Sequence, residues 1–560
     1  MKPYAPAGGP STWPRSWPFA PGSPGVRGRA VVATTDRYAS EAGAAMLAAG
    51  GNAVDAAVAV AFALGVVNPE AGNVGGSGFL LARTAEGRSA ALDYRSVAPR
   101  AASADLFLEP DGRVSERSQI GPLAAAVPGS VRGLWEAHRE LGRLPWATLL
   151  EPAVRLARGF RVTERLTRSY PPHIVEALRR FPESARLFLP GGRVPRVGET
   201  LRQPELAATL ERIQGGGADG FYRGETARLL VEAVQRGGGV LDLEDLAAYR
   251  AVWREPLAFR YRDHVVLSMP PSSSGGVTLA ETAHIVTARD AGALPWHSDT
   301  HVHLLAEAWK RAFADRNRWL ADADFVRVPV AELASPEHGA RRATGIGERA
   351  TPAEHVPTGL APARDGSHTT HASIVDAEGN AVAMTTTLNT WYGSKWVAEG
   401  TGVLLNNEMD DFTLAPGAPN HFGLVQGAAN AIEPGKRMLS AMTPTLVLAP
   451  RGALRLVLGA PGGATIVTSV FQVISNVLDY GMGLADAVAA PRVHHQHLPD
   501  VLDSEPGGLP AEVVSALEER GHVVREQAEP WGDVQAVAVL EGGVLEGASD
   551  PRRGGTPVAL

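Results

Sequence analysis

The spacing of apolar residues along the chain alternates between helical and extended patterns. Alanine-rich runs over residues 38–47 and 53–66 predict two helices, and the glycines and asparagine at 50–52 predict a helix end followed by a helix cap. Apolar residues recur at a helical period through most of 130–250 and again over 301–320. These patterns predict helical segments through much of the first 320 residues.

Short runs of β-branched and apolar residues, bounded by Gly, Pro and Asn, predict strands between these helices. They cover residues 29–35, 79–81, 403–407, 444–448 and 454–458, and a further helix is expected over 466–478. Because strands and helices alternate along the chain, the expected fold is mixed α/β, with sheets covered by helices.

A short hairpin is the most informative part of the pattern. The extended run that begins with Thr369 and Thr370 is followed by a turn and a second extended run, a typical hairpin signal. With Glu378 and Gly379 as a two-residue turn, Thr370 is expected opposite Thr387. Hydroxyls clustered at a strand start suggest an activated nucleophile. They are equally what ordinary cross-strand threonine pairs in a sheet would produce.

The segment before this hairpin changes character. Residues 340–368 contain Pro, Gly and charged residues without a period, which predicts an exposed linker. Such a linker is a place where a chain can be cut and its new ends can separate.

Two glycine-rich turns are candidates for close backbone contacts. The turn at 72–78 lacks the spacing and the Lys-Ser/Thr pair of a nucleotide loop, so we expect its backbone to pass close to another backbone or a ligand. Gly462 and Gly463 stand between a strand and a helix. Their N–H groups fit an oxyanion site, and they fit a tight turn equally well.

Three charged residues are candidates for binding an amino acid. Arg95 follows a predicted strand and could hold a carboxylate through two parallel hydrogen bonds, although a lone arginine is usually a surface residue. Glu408 and Asp411 could receive an ammonium group. Acidic clusters also form calcium loops, but the EF-hand spacing is absent here.

The composition restricts the chemistry. The chain has 560 residues, 44% of them hydrophobic, a net charge of −7 and no cysteine, so a globular protein without a nucleic-acid surface is expected. A covalent catalyst would have to be Ser, Thr, Lys or a carboxylate. No metal site is expected at the histidines of 494–497, because neighbouring side chains in extended chain point to opposite faces, nor at His301 and His303.

Targeting signals are also absent from the sequence. Residues 1–28 form a Pro/Gly-rich leader without an apolar core, and the longest apolar stretch, 56–67, is too short to cross a bilayer. We therefore expect no membrane association and a cytoplasmic location, or a periplasmic or secreted one if a signal segment has been trimmed.

Ten motifs in order change the interpretation of these features. The chain resembles the γ-glutamyltransferase (γ-glutamyl transpeptidase) family, threonine members of the N-terminal-nucleophile hydrolases, from about residue 30 to 556. The motifs are GGNAVDAAVA (50–59), NPEAGNVGGSGF (68–79), LDYRSVAP (92–99), MPPSSSGG (269–276), TTHASIVDAEGNAVAMTTTLNT (369–390), LLNNEMDDF (404–412), KRMLSAMTPT (436–445), GAPGG (459–463), APRVHHQHLPD (490–500) and GASDPR (547–552).

The resemblance implies a four-layer αββα sandwich made as one inactive precursor. Cleavage between His368 and Thr369 would give a large subunit, 29–368 with the leader, and a small subunit, 369–560, intertwined in one body. Thr369 would become an N-terminal residue whose α-amine, with a pKa of about 8, can serve as the base for its own hydroxyl.

The family's site residues carry over by motif. The resemblance implies that Thr387 orients Thr369 and that the loop 415–427 is a lid with Phe422 as its aromatic gate. No metal or other cofactor is implied. The remaining implied roles are an oxyanion hole at Gly462 and Gly463, a carboxylate site at Arg95 and Ser440, and an ammonium site at Asn389, Glu408 and Asp411.

The implied substrates are glutathione or other γ-glutamyl amides, with water, an amino acid or a dipeptide as acceptor. Ala441 departs from the family, where a second serine is common, and weaker γ-glutamyl binding is expected because one hydrogen bond to a charged group is lost.

Two other functions stay open. A cephalosporin acylase on the same scaffold would cleave a glutaryl amide, which has no use for Glu408 and Asp411. A non-catalytic amino-acid-binding protein would use Arg95 and the acids without any cleavage.

Overall fold

The computed structural model describes residues 19, 25–72, 74–356, 369–415 and 417–560. Most of the predicted leader and the predicted cleavage residue His368 lie outside these residues. Within the described ranges, every helix is too short or too polar to cross a membrane.

The strands are short and spread over the whole chain. In chain order they are β1 Val26–Gly28, β2 Val31–Thr34, β3 Ser77–Arg83, β4 Ser89–Tyr94, β5 Phe160–Arg161, β6 Thr200–Leu201, β7 Val252–Arg254, β8 Leu257–Tyr261, β9 His264–Ser268, β10 Thr369–Val375, β11 Ala381–Thr387, β12 Val397–Ala398, β13 Val403–Leu404, β14 Thr445–Leu448, β15 Leu454–Gly459, β16 Val493–His494, β17 Leu502–Ser504, β18 Val524–Glu526, β19 Gln535–Val539, β20 Leu545–Ser549 and β21 Val558–Ala559.

The helices are concentrated before the central hairpin. In chain order they are α1 Arg37–Ala48, α2 Ala53–Val67, α3 Ser130–Leu141, α4 Trp146–Arg158, α5 Glu164–Thr167, α6 Pro172–Arg179, α7 Pro182–Phe188, α8 Pro204–Gly216, α9 Asp219–Tyr222, α10 Gly224–Arg236, α11 Leu243–Ala248, α12 Gly275–Ala288, α13 Asp299–Trp319, α14 Val330–Leu333, α15 Pro336–Thr344, α16 Thr465–Leu478, α17 Leu484–Ala489 and α18 Ala511–Glu519.

Two large sheets form the centre of the part of the chain that the structure describes. One has 7 strands in the order β21-β2-β10-β11-β3-β4-β7, and the other has 7 strands in the order β1-β20-β19-β15-β14-β9-β8. In the first sheet, β10 and β11 lie between β2 and β3. Strand β10 pairs antiparallel with β2, and β11 pairs antiparallel with β3. The strands before and after the predicted cleavage point are therefore interleaved in one sheet.

The two sheets face each other and each is covered by helices on its other side. One core joins α1–α4 to the outer side chains of the first sheet, such as Leu80 and Ile374. A second core contains the inner side chains, such as Phe79 and Val375, the second sheet, and α12, α13 and α16. Alternate residues of a strand point to opposite faces, so one strand serves both cores. The prediction of a four-layer αββα sandwich is confirmed.

The predicted register of the hairpin is wrong by one residue. Thr369 pairs with Thr387, and Thr370 pairs with Thr386 instead of Thr387. The loop holds three residues between Asp376 and Asn380, because Gly379 adopts a φ of 96° and allows an extra residue in the turn. A shift of one residue changes which hydroxyls share a face, so the correction brings Thr369 to Thr387.

The predicted linker is also partly wrong. Residues of 340–356 are ordered: α15 extends to Thr344, and Ala353 and Val356 are buried. The Thr351 backbone N–H donates to Glu307 Oε1 at 3.0 Å, and the Ala353 N–H donates to Asp500 Oδ2 at 2.7 Å. These partners are distant in sequence, so composition alone could not indicate them. Residues 357–368 lie outside the described ranges.

Helix ends and strand lengths are partly as predicted. Asn52 caps α2 in a capping box with Asp55. The strand predicted over 403–407 is much shorter, because the Asn406 side chain accepts hydrogen bonds from the backbone N–H groups of Glu408 and Ala126, both at 3.0 Å, and ends the ladder.

Candidate active site

The two threonines predicted to act together lie side by side at one end of the central hairpin. Thr369 begins β10, Thr387 ends β11, and their Oγ1 atoms are 3.5 Å apart. The Thr387 Oγ1 also accepts a hydrogen bond from the Asn389 backbone N–H at 2.8 Å. Because an accepting hydroxyl still has a proton to donate, Thr387 can donate to Thr369 and orient it.

The neighbouring threonine has a different environment. The Thr370 Oγ1 donates to Thr35 Oγ1 at 3.1 Å, and the Thr35 hydroxyl donates to Asp533 Oδ2 at 2.6 Å. Thr370 is fully buried, whereas Thr369 lines a small cavity with Thr387 and Arg95. Thr369 is therefore the hydroxyl of the pair that a substrate could reach.

The glycine turn before β3 lies against this site. A Cβ on Gly76 would overlap the carbonyl oxygen of Thr387, and a Cβ on Gly75 would overlap that of Leu404. The prediction that this backbone passes close to another one is confirmed. Glycine here sets the distance between the turn and the residue that contacts Thr369.

The predicted anion-binding and cation-binding groups contact each other. Arg95 directly follows β4, its Nη1 lies 3.0 Å from Glu408 Oε2, and its Nη2 is paired with Asp411 Oδ2. The Ser77 hydroxyl donates to Glu408 Oε2 at 2.6 Å. All of these side chains are buried. A zwitterionic amino-acid group could exchange with this pair, its carboxylate meeting the arginine and its ammonium group meeting the acids.

The acids outnumber the arginine beside them. Burial raises the pKa of Asp411 to about 7, and the nearby Asp410 and Glu408 carboxylates add to the effect while Arg95 opposes it. Burial also raises the pKa of Glu408 and of Asp410. An incoming ammonium group would stabilise the ionised carboxylates, so the site is prepared for a cation.

The predicted oxyanion turn stands at the start of α16. Gly462 and Gly463 have φ values of 145° and 53°, a region that favours glycine. Gly463 lines the small cavity together with Thr369, and Gly462 lines a larger neighbouring cavity. Backbone N–H groups before a helix suit a developing negative charge.

The predicted carboxylate-binding and ammonium-binding residues are divided around the small cavity. Ser440, Asn389 and Asp411 line it together with Ala441, whereas Glu408 lies behind Arg95. The Asn389 side chain donates to the Asn407 carbonyl at 3.0 Å. The structure thus brings these predicted carboxylate-binding and ammonium-binding residues together, with Glu408 connected to the cavity through Arg95.

The predicted gate residue separates two cavities. Phe422 lines both the small cavity of about 20 Å³ beside Thr369 and the larger one of about 370 Å³. Trp391 and Trp531 also line the larger cavity. The gate loop is tied to the site, because Asn420 Nδ2 donates to Asp411 Oδ1 at 3.1 Å.

Arg316 lines the small cavity, although no sequence pattern pointed to it. It lies in α13 and its guanidinium donates to Gln426 Oε1 at 2.9 Å and to Asn317 Oδ1 at 3.0 Å. Burial lowers its pKa to about 10, with Asp411 opposing the shift. Several other charged residues of this helix are buried too, so the spacing of charges could not single out Arg316.

The histidines of 494–497 have separate hydrogen-bond partners. His494 bonds with Gln496 at 3.0 Å, and His497 bonds with the Ala353 carbonyl at 3.1 Å. Within the described ranges, a group able to hold a metal ion is Glu281, Asp315 and His338. Arg342 Nε lies 3.1 Å from Asp315 Oδ2 and already balances charge there.

The sequence matches the gamma-glutamyltranspeptidase family over residues 39–560. The chain belongs to this family. A relative from Pseudomonas aeruginosa, named glutathione hydrolase proenzyme, is 46% identical over 536 residues, covering 94% of this chain and 94% of that protein. A glutathione hydrolase proenzyme from Escherichia coli is 42% identical, covering 93% of this chain and 90% of that protein.

Structural comparison agrees with the family assignment. The cephalosporin acylase from Bacillus halodurans matches with a TM-score of 0.82 and 29% identity, covering 98% of this chain and 99% of that chain. As a gamma-glutamyltranspeptidase family member, the protein is an enzyme, and its fold is that of the N-terminal-nucleophile hydrolases.

Proposed function

We propose that this chain is a γ-glutamyltransferase and glutathione hydrolase that cuts itself between His368 and Thr369. The observation that carries the proposal is the position of Thr369. Its hydroxyl lies 3.5 Å from that of Thr387, in a cavity that Asp411 and Gly463 also line. Nucleophile, orienting hydroxyl, charged anchor and oxyanion turn are thus within one site.

The first reaction is self-cleavage. The Thr369 Oγ attacks the His368 carbonyl carbon, the peptide C–N bond breaks, and the acyl group moves to oxygen as an ester. The hydroxyl proton passes to the departing nitrogen, which becomes the free α-amine of Thr369. Water then hydrolyses the ester, releasing the His368 carboxylate and restoring the Thr369 hydroxyl, for which the amine now serves as base. Large subunit 1–368 and small subunit 369–560 stay joined, because β10 and β11 lie between β2 and β3.

The second reaction transfers the γ-glutamyl group. The Thr369 Oγ attacks the γ-carbonyl of the donor, its proton passes through the α-amine to the leaving nitrogen, and the amide C–N bond breaks to give a γ-glutamyl ester. Water or an acceptor amine then attacks the ester and the proton returns to Thr369. Gly462 and Gly463 stabilise the oxyanion in both steps.

The two cavities would hold the two halves of a γ-glutamyl amide, once the smaller one beside Thr369 has widened. Arg95 and Ser440 would bind the α-carboxylate, and Asn389 and Asp411 would bind the α-amine, with Glu408 behind Arg95 adding negative charge. The larger cavity, about 370 Å³, would hold the leaving amine and later the acceptor. Glutathione fits this division as donor, and an amino acid or dipeptide fits it as acceptor.

The test is a denaturing gel combined with an assay. Wild-type protein should give two polypeptides and release the aniline from a γ-glutamyl anilide, faster with glycylglycine present. Thr369→Ala should stay one inactive polypeptide. A wild-type chain that remains intact and inert would contradict the proposal and favour a binding protein.

A cephalosporin acylase is the second candidate, favoured by the full-length structural match to one. The buried Asp411 and Glu408 argue against it, because a glutaryl group has no amine to bind them. Turnover of glutaryl amides but not of γ-glutamyl anilides would reverse the order of the two candidates.

A further inference from the structure

The site in this structure is too closed to hold an acyl group. The cavity beside Thr369 measures about 20 Å³, room for about one water molecule. Phe422 forms part of its wall and is buried. Movement of the loop around Phe422 would widen this cavity, so a contact that holds the loop can limit the access of substrate and water to Thr369.

A chain of hydrogen bonds connects this loop to the helix behind the oxyanion turn. The Thr468 Oγ1, in α16, lies 2.9 Å from His494 Nδ1. His494 Nε2 lies 3.0 Å from Gln496 Oε1, and Gln496 Nε2 donates to the Phe422 carbonyl at 3.1 Å. The gate and the turn at Gly463 are thereby connected through side chains.

The orientation of the Gln496 amide follows from its partners. Its Nε2 faces two carbonyl oxygens, those of Phe422 and of Leu498 at 3.2 Å, so this end must be the donor. Its oxygen then accepts from His494 Nε2–H. Thr468, His494 and Gln496 are all buried, where a lost partner is costly. The hydrogen bond from Gln496 Nε2 to the Phe422 carbonyl is direct.

We propose that Gln496 is a positioning residue that holds the Phe422 loop closed over Thr369, with His494 and Thr468 fixing its orientation. The effect of this contact on catalysis rests on the proposed function, in which a closed loop keeps water from the γ-glutamyl ester and holds the donor. The hydrogen-bonded chain itself does not depend on which donor the enzyme uses.

Gln496→Ala tests this, with Gln472→Ala as the matched control. Gln472 is also a buried glutamine, and it bonds backbone on both sides of the chain, donating to the carbonyls of Thr468 at 2.9 Å and Val493 at 3.0 Å instead of to the gate loop, so it tests whether general loosening there is enough. Hydrogen exchange is measured at the amides of Phe422, Gly423 and Leu424, which all bond to Asn420. We expect about five-fold faster exchange in Gln496→Ala and unchanged exchange in Gln472→Ala.

Kinetics provide the second measurement. In Gln496→Ala the donor KM should rise about five-fold, hydrolytic kcat should rise because water reaches the ester more easily, and the ratio of transfer to hydrolysis should fall. Gln472→Ala should lower the melting temperature to a similar extent but leave the donor KM, the hydrolytic kcat and the ratio of transfer to hydrolysis unchanged.

An isosteric variant guards against misfolding. Gln496→Glu keeps the shape but sets a carboxylate against the Phe422 and Leu498 carbonyls, so it should loosen the gate as alanine does. Unchanged gate exchange in both Gln496 variants would overturn the proposal. If the wild type lacked γ-glutamyl activity, the proposed function would fail, and the exchange measurement would still decide the role of Gln496.

Discussion

At the scale of single residues, Thr369 differs from the threonines around it in what its hydroxyl contacts. Its hydroxyl faces a cavity and is 3.5 Å from Thr387, whereas Thr370 is tied to Thr35 and Asp533. Sequence alone could place a hydroxyl cluster here, and the family motif singled out Thr369. Arg316 escaped prediction, because its approach to Asp411 comes from the packing of α13 and no local pattern records it.

Activity should depend more on the Thr387 hydroxyl than on the shape of the Thr387 side chain. Thr387→Val keeps the volume but removes the donor to Thr369, so kcat should fall by about 10–100-fold, the effect of one hydrogen bond to a reacting charged group. Thr387→Ser, which keeps the hydroxyl, should retain most of the activity. Equal losses in both variants, measured with a γ-glutamyl anilide, would assign Thr387 a packing role instead.

Donor binding should depend on pH through Asp411. Its pKa is raised to about 7 by burial, and only the ionised form binds an ammonium group. The donor KM should therefore be low above pH 7 and rise roughly ten-fold per unit as the pH falls below 7. A glutaryl anilide, which lacks the amine, is the control and should show no such rise. A donor KM that stays constant from pH 8 to 5.5 would contradict this.

Ala441 offers a gain-of-affinity test. It lines the cavity beside Ser440 and supplies no hydroxyl to the donor carboxylate. Ala441→Ser should lower the donor KM by about ten-fold with kcat nearly unchanged, since one hydrogen bond to a charged group contributes about 1.5–3 kcal/mol. An unchanged KM, from initial rates over a range of donor concentrations, would show that the serine cannot reach the carboxylate.

At the scale of elements, the hairpin shows what a single sequence can and cannot establish. The two extended runs around a turn located β10 and β11, but the predicted register was wrong by one residue. The loop length depends on the φ of Gly379, which composition does not reveal. Likewise, the linker prediction failed over 340–356 because Glu307 and Asp500, distant in sequence, hold that segment in place.

Activity should be sensitive to one methyl group added to the glycine turn where it lies against β11. Gly76→Ala would bring a Cβ into the Thr387 carbonyl, so we expect at least a ten-fold loss of kcat, measured on cleaved protein, or failure to cleave. Gly215→Ala is the control: this exposed helical glycine has open space around it, and the change should stabilise by about 0.5–1 kcal/mol. Full activity in Gly76→Ala would mean that the turn can shift freely.

At the scale of the whole molecule, the fold explains how one cut can create a site without separating the product chains. Strands β10 and β11, which follow the proposed cut, are central in the first sheet, between β2 and β3, which precede it. Arg95 comes from one side of the cut, and Asp411 and Gly463 come from the other. The proposed cleavage would therefore free an amine at Thr369 inside an assembly that is already complete.

The central claim is that the cut releases Thr369 as the nucleophile. The most direct test is mass spectrometry of purified protein trapped during turnover of a γ-glutamyl donor. We predict a small subunit beginning at Thr369 and a γ-glutamyl ester on that residue, absent from Thr369→Ala. An ester on another residue, or turnover by an uncut chain, would contradict the account.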